Sequence, residues 1–134
     1  MQLPIGVTVA VLDGERFSLF RNTGDEANPK LAAVPHAAID DDHKGSSIGH
    51  QSSSANPSGG QADEDGFTVG AADYLNKQVL AGKIDTLIVI APPRALGELR
   101  KHYHKALSAV LRGEIAKELV GLNTDDLEKA IAAA

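Results

Sequence analysis

The sequence predicts a single α/β domain with a mixed, open sheet that begins as a β-meander and has helices packed on it. Three observations lead there. Leu87 to Ala91 is a continuous apolar run with β-branched residues, which suits a strand covered on both faces. Pro92 and Pro93 follow at once and end the strand, and a proline at a first helical position is tolerated because its missing N–H would be unpaired there anyway. Ile5 to Leu12 is a second apolar run, and it leads directly into Asp13-Gly14, the strongest short-range hairpin signal.

The remaining elements follow in order. Glu15 to Arg21 is expected to return antiparallel to the first strand. Asn22 to Pro29 is turn chemistry, and Lys30 to His36 reads as a third strand that Pro35 confines to an edge or to its own end. From residue 40 to about 65 the composition turns to Ser, Gly, Asn, Asp, His and Gln, which predicts a long flexible polar loop. A helix is expected from about Phe67 to Ala81 through Ala72, Leu75 and Val79, with Gly82 at its C′ position. After the Leu87 strand, Leu96, Leu99, Tyr103, Ala106 and Val110 recur at helical spacing. Arg112 to Val120 fits either a helical face or an alternating strand. Asn123 or Thr124 can cap a last helix carrying Leu127, Ala130 and Ile131.

Composition narrows the function classes. The 134 residues suit one domain spanning 1–134, and the absence of cysteine excludes disulfides and thiolate metal sites. No basic-then-apolar leader and no apolar run of about 20 residues is present, so a cytoplasmic protein without membrane insertion is expected. The formal charge of -5 argues against non-specific nucleic-acid binding by the whole surface. Its distribution is uneven, however: Arg94, Arg100, Lys101, Lys105, Arg112 and Lys117 lie in the last third, whereas acids cluster at Asp40 to Asp42 and Asp63 to Asp65. There is no Gly-x-Gly-x-x-Gly after a strand and no Gly-Lys-Ser/Thr loop, so no nucleotide cofactor, and no other, is expected.

Four groups of residues could carry chemistry. Arg94 stands just past the carboxyl end of a central strand, where open α/β sheets bind ligands, and a guanidinium there suits phosphate or carboxylate. A surface ion pair with Glu98, one turn on, is the plainer reading. Arg100, Lys101 and Lys105 extend the positive surface. His36, His43 and His50 with Asp40 to Asp42 hold metal-ligating side chains, but their spacing matches no ligand motif and a solvated loop explains them, so no metal site is expected. His102 and His104, two apart, do not share a helix face. Asp13, at the end of a buried strand, could suit a metal-dependent nuclease, but hairpin chemistry accounts for it.

The stretch Leu87-Ile-Val-Ile-Ala-Pro-Pro-Arg-Ala-Leu-Gly-Glu-Leu-Arg100, with Ala106-Leu-Ser108, Glu114 to Leu119 and the capped helix after Asn123, resembles the bacterial host attachment protein family. That family's fold is similar to the middle domain of archaeal and eukaryotic peptide-chain release factors. The resemblance implies a strand over 112–119 and hence a sheet of about five strands. It also draws attention to Gly59-Gly60-Gln61, in the loop where release factors carry the Gly-Gly-Gln that enters the peptidyl-transferase centre. Two glycines allow close backbone approach, so the Gln N–H can face a developing oxyanion. Asp63 to Asp65, just beyond, put negative charge where phosphate would lie. The expectation is a non-enzymatic interaction protein contacting the ribosome or structured RNA through Arg94, Arg100, Lys101 and Lys105. The alternatives are peptidyl-tRNA ester hydrolysis through Gly59, Gly60 and Gln61, and an accessory role in attachment to host cells.

Overall fold

The computed structural model describes the chain at residues 1–39 and 59–134, the side chains of 59–63 excepted. Its elements are β1 (Thr8–Leu12), β2 (Phe17–Asn22), β3 (Leu31–Ala33), α1 (Gly59–Leu80), β4 (Leu87–Ala91), α2 (Pro93–Arg100), α3 (Lys105–Val110), β5 (Leu111–Ala116) and α4 (Thr124–Ala132). The sheet runs in the order β3-β2-β1-β4-β5. β1, β2 and β3 form an antiparallel meander, while β4 and β5 join parallel to β1. The open mixed sheet expected from the sequence is therefore the observed one.

β1 and β4 lie at the centre and are buried along their whole length. Their alternate side chains serve two cores. Ala10, Leu12, Leu87 and Val89 pack with Ala71, Ala72 and Leu75 of α1, Leu96 and Leu99 of α2 and Leu107 of α3. On the other face, Val9, Val11, Ile88 and Ile90 pack with Ile115, Val120, and Leu127 and Ile131 of α4. The paired alanines of α1 bring that helix close to the strands, since no long side chain intervenes.

Several boundaries differ from expectation, each for a local reason. β1 starts at Thr8, not Ile5: Gly6 takes a positive φ of 76°, and the Val7 N–H turns back to the Pro4 carbonyl, leaving Ile5 73% exposed. β3 keeps three residues. α1 begins at Gly59 rather than near Phe67, so the polar stretch from 59 to 65 belongs to the helix; Gln, Ala and Glu are good helix formers, but without an apolar stripe no periodicity marks them. Gly82 does close this helix, with φ of 77° and its N–H on the Val79 carbonyl.

The run from Pro93 to Val110 is two helices, not one. Asn76, reaching from α1, donates to the His102 carbonyl at 2.9 Å and accepts from the His104 N–H at 2.9 Å, holding the turn open. The His104 ring then caps α3 by accepting from the Ala106 N–H at 2.9 Å. Leu111–Ala116 is a strand, as the family resemblance implied, and pairs with β4. Asn123 caps α4 by accepting from the Asp126 N–H at 2.8 Å.

Asn22 ties the amino-terminal segment to the meander. It is 1% exposed, donates to the carbonyls of Leu3 at 3.0 Å and Pro4 at 3.2 Å, and accepts from the N–H groups of Gly24 at 3.0 Å and Lys30 at 2.9 Å. Truncation to alanine strands these buried groups, so Asn22→Ala is expected to lower stability by about 2–4 kcal/mol in urea unfolding, on the cost of unpaired buried polar groups. An effect under about 0.5 kcal/mol, the ordinary size for a surface change, would mean the network is replaced by water.

Candidate functional site

At the carboxyl ends of β1, β4 and β5 the chain forms a cleft of about 340 Å³, lined by Asp13, Gly14 and Glu15 of the hairpin, Glu64, Asp65 and Thr68 of α1, Pro92, Arg94 and Ala95 at the start of α2, and Glu118. This is the end of the sheet at which open α/β folds place ligands. Close packing makes its wall: a Cβ on Gly14 would lie 2.7 Å from Cβ and Cγ of Glu64, so only glycine lets the hairpin and α1 approach so nearly. Thr68 is buried at 2% exposure, and its hydroxyl donates to the Glu64 carbonyl at 2.8 Å.

Asp13 is the turn residue that its Asp-Gly context predicts. Its Oδ1 accepts from the N–H groups of Glu15 at 2.8 Å and Arg16 at 2.7 Å, and Oδ2 meets the Arg16 guanidinium at 3.2 Å. Partial burial pushes the carboxyl up, but the two amides and the guanidinium together outweigh it and hold Asp13 below the ordinary aspartate range. Glu118 responds in the opposite sense. Burial, then the charge of Asp13 and a hydrogen bond to it, push its carboxyl above the usual value. The two are coupled, and Glu118 is the member that takes up a proton first as pH falls.

Arg94 therefore lies in a cleft shared with five carboxyl-bearing residues, Asp13, Glu15, Glu64, Asp65 and Glu118. An anionic ligand would meet an excess of negative charge there, which disfavours the phosphate grip that its position suggests. The alternative pair with Glu98 does not form either: Glu98 is taken by Lys101 at 3.3 Å and His102 at 3.2 Å. Arg100 places Nε at 3.1 Å and Nη2 at 2.8 Å from one oxygen of Glu114, whose other oxygen accepts from the half-buried Tyr103 hydroxyl at 3.1 Å. Burial, then the Glu114 charge, drives the Tyr103 hydroxyl far above its ordinary pKa. Arg100 and Lys101 are thus neutralised in place, while Lys105, at the start of α3, forms no ion pair among the described residues. Arg94 and Arg100 sit at opposite ends of α2, about 9 Å apart along its axis at the helical rise. Arg94 therefore stands apart from Arg100 along the helix.

Gly59, Gly60 and Gln61 form the first turn of α1 rather than a loop before it. Their backbone lies one turn ahead of Glu64 and Asp65, hence beside the acidic cleft. His43, His50 and Asp40 to Asp42 lie outside the described residues. Among the described residues, no cluster of three or more His, Asp or Glu could hold a metal ion, and no helix is long and apolar enough to cross a membrane. Sequence reasoning missed Glu118, which carries no motif and reaches the cleft only through the fold, and it noted Glu64 only as part of the acidic run after Gly59-Gly60-Gln61.

A sequence model of bacterial archaeo-eukaryotic release factor family 12 matches residues 6–131. The chain belongs to this family. The match takes in every strand and all but the last residue of α4, so the release-factor likeness covers the whole fold. It names release factors and not host attachment, and the host attachment assignment gains nothing from it. No curated protein matches the chain.

The carboxyl pair makes a pH-dependent expectation. Glu118, with a raised folded-state pKa, favours the fold below its unfolded value and loses that contribution as pH rises through the folded one; Asp13, held low, contributes above its unfolded value. Glu118→Gln should therefore stabilise at pH 7 by about 0.5 kcal/mol or less, because Glu118 is largely exposed and screened. The gain should vanish near pH 4, where wild-type Glu118 is itself protonated. Thermal melts at both pH values check this, and an equal shift at both would show that Asp13 and Glu118 are not coupled.

Proposed function

We propose that this protein is a non-enzymatic partner of the translation machinery that associates with the ribosome or with structured RNA. The observation that carries the reading is the match to a release factor family across residues 6–131. The charge distribution refines it. Arg100 and Lys101 are occupied by Glu114 and Glu98, so the attraction to phosphate falls to cations outside ion pairs: Lys105, with Arg112 and Lys117 on and just after β5. An accessory role in attachment to host cells has no observation behind it beyond the sequence resemblance.

A second reading is favoured by one feature. Gly59-Gly60-Gln61 forms the first turn of the long helix that follows the third strand, where the release-factor resemblance implied the loop before that helix, and peptidyl-tRNA ester hydrolysis would use the Gln61 backbone N–H toward the oxyanion. The acids just downstream oppose an approach to tRNA phosphates.

Sedimentation of the full chain with ribosomes through sucrose gradients at low and moderate salt tests the first reading. Co-migration that fades with salt is expected, together with its loss in Lys105→Glu/Lys117→Glu. Protein that stays at the top of the gradient in every condition would sink the proposal. Peptidyl-tRNA turnover by wild type that disappears in Gln61→Ala, with co-migration unchanged, would shift the assignment to the hydrolytic reading.

A further inference from the structure

A second cleft lies at the opposite end of β1. It has a volume of about 680 Å³ and sits between the sheet and the carboxyl-terminal half of α1. Its floor is set by register: Thr8 of β1 stands directly opposite Arg21 of β2, and Leu19, two residues back, shares the face of Arg21. Tyr74 and Gln78 of α1, Lys83 and Ile84 beyond it, and residues 34–37 after β3 complete the walls. The volume falls within the roughly 300–1,000 Å³ of small-molecule sites.

Its chemistry is the reverse of the acidic cleft. No carboxylate lines it among the described residues, although the chain carries a formal charge of -5. Arg21 and Lys83 both line it, and neither has a carboxylate partner among the described residues. The Arg21 guanidinium makes only a long contact of 3.4 Å to the Lys83 carbonyl, which brings the two cations to one side of the opening. The other side is aromatic: His36 and Tyr74 stand 6.2 Å apart, each edge-on to the buried Phe17 at 4.9 and 5.8 Å, so their positions are fixed by packing.

Thr8 stands on the cleft floor. Its hydroxyl makes no hydrogen bond to a described residue and, since no buried side-chain polar atom among the described residues lacks a partner, it is open to the cleft. With Arg21 directly across from it, it offers a ligand one further polar contact. The Gln78 amide, also without a side-chain hydrogen bond among the described residues, adds a donor and an acceptor beside the rings.

We propose that this cleft binds a nucleotide unit, its phosphate held by Arg21 and Lys83, its base against His36 and Tyr74, and its edge read by Gln78. Two adjacent cations match a phosphate, aromatic rings match a base of any sequence, and an amide matches the donor-acceptor edge that a plain aromatic acid lacks. The unit could be supplied as a free mononucleotide or as one residue of a single-stranded RNA. Both present the same chemistry, and the experiment separates them.

The test is calorimetric titration of the full chain with each of the four ribonucleoside monophosphates, with inorganic phosphate, and with a short single-stranded oligoribonucleotide, alongside amide chemical-shift mapping. At least one monophosphate is expected to bind with a Kd below about 1 mM, with shifts concentrated at Thr8, Arg21, Gln78 and Lys83. Arg21→Ala and Lys83→Ala, both at exposed positions, should each weaken it about tenfold, the size of a lost charge-assisted hydrogen bond, without moving the melting temperature. Tyr74→Leu should weaken the monophosphates and leave phosphate unaffected. An oligonucleotide that binds much more tightly than any monophosphate through the same residues identifies RNA as the source, and equal affinities identify the free nucleotide. The proposal is overturned if no monophosphate binds at millimolar concentration, if phosphate binds as well as every monophosphate, or if the shifts map to the Asp13 cleft.

Discussion

The parallel pairing of β1 with β4 is the contact on which the rest of this molecule depends. Thr8 to Val11 stand opposite Leu87 to Ile90, and along this seam side chains of both faces are withdrawn from water. Burial of each large aliphatic side chain contributes about 1.5–3 kcal/mol, so this seam supplies much of the apolar stabilisation of both cores. It also explains the layering. Two faces of a central pair can be covered only by helices on both sides, and α1 to α3 take one while α4 takes the other. Even the meander's edge is drawn in: the Leu31 N–H of β3 donates to Glu128 of α4 at 2.8 Å, giving an otherwise open edge strand a partner.

That seam was legible in the sequence because its signal is local. A buried strand writes itself as an unbroken apolar run, and Leu87–Ala91 occupies the bounds its run and its prolines set. Asp13-Gly14 was legible for a similar reason, since the turn is made by Asp13 accepting from residues two and three positions on. What the sequence did not reveal was made by distant partners. The break between α2 and α3 comes from Asn76, 26 residues before the carbonyl that it holds. No pattern within 93–110 could announce it, because Tyr103 and Ala106 keep the helical spacing across the gap. The strand at 111–116 was decided by family resemblance, since six residues are too few for period to separate strand from helix.

The sites follow the same division. Arg94 was found from its place after a central strand, and it does line a cleft, but the sign of that cleft was hidden. Glu64 comes from a helix that starts eight residues earlier than its apolar face suggests, and Glu118 from a connection with no motif of its own. Likewise, nothing in the sequence joins Thr8, Arg21, Tyr74 and Lys83. They meet because antiparallel register sets Thr8 against Arg21, and because α1 lays its last turns over that end of the sheet.

The two clefts give the molecule a charge polarity along β1 that its net charge conceals. At the carboxyl end of the strand, carboxylates gather around Arg94 while Arg16 pairs with Asp13, and burial and the Asp13 charge raise the Glu118 carboxyl above its usual value. At the amino end, Arg21 and Lys83 with His36 and Tyr74 line a cleft onto which the Thr8 hydroxyl opens. Burial raises the energy of like charges brought together, so acids gathered around one cleft must be tolerated there rather than stabilising it. The basic end bears the same cost with Arg21 and Lys83, although both remain exposed enough for water to screen them. The five carboxyl-bearing residues of the first cleft stand at one end of β1 and the second cleft at the other, so an anion that met Arg21 and Lys83 would be spared the repulsion of that cluster, which fades with distance and with salt.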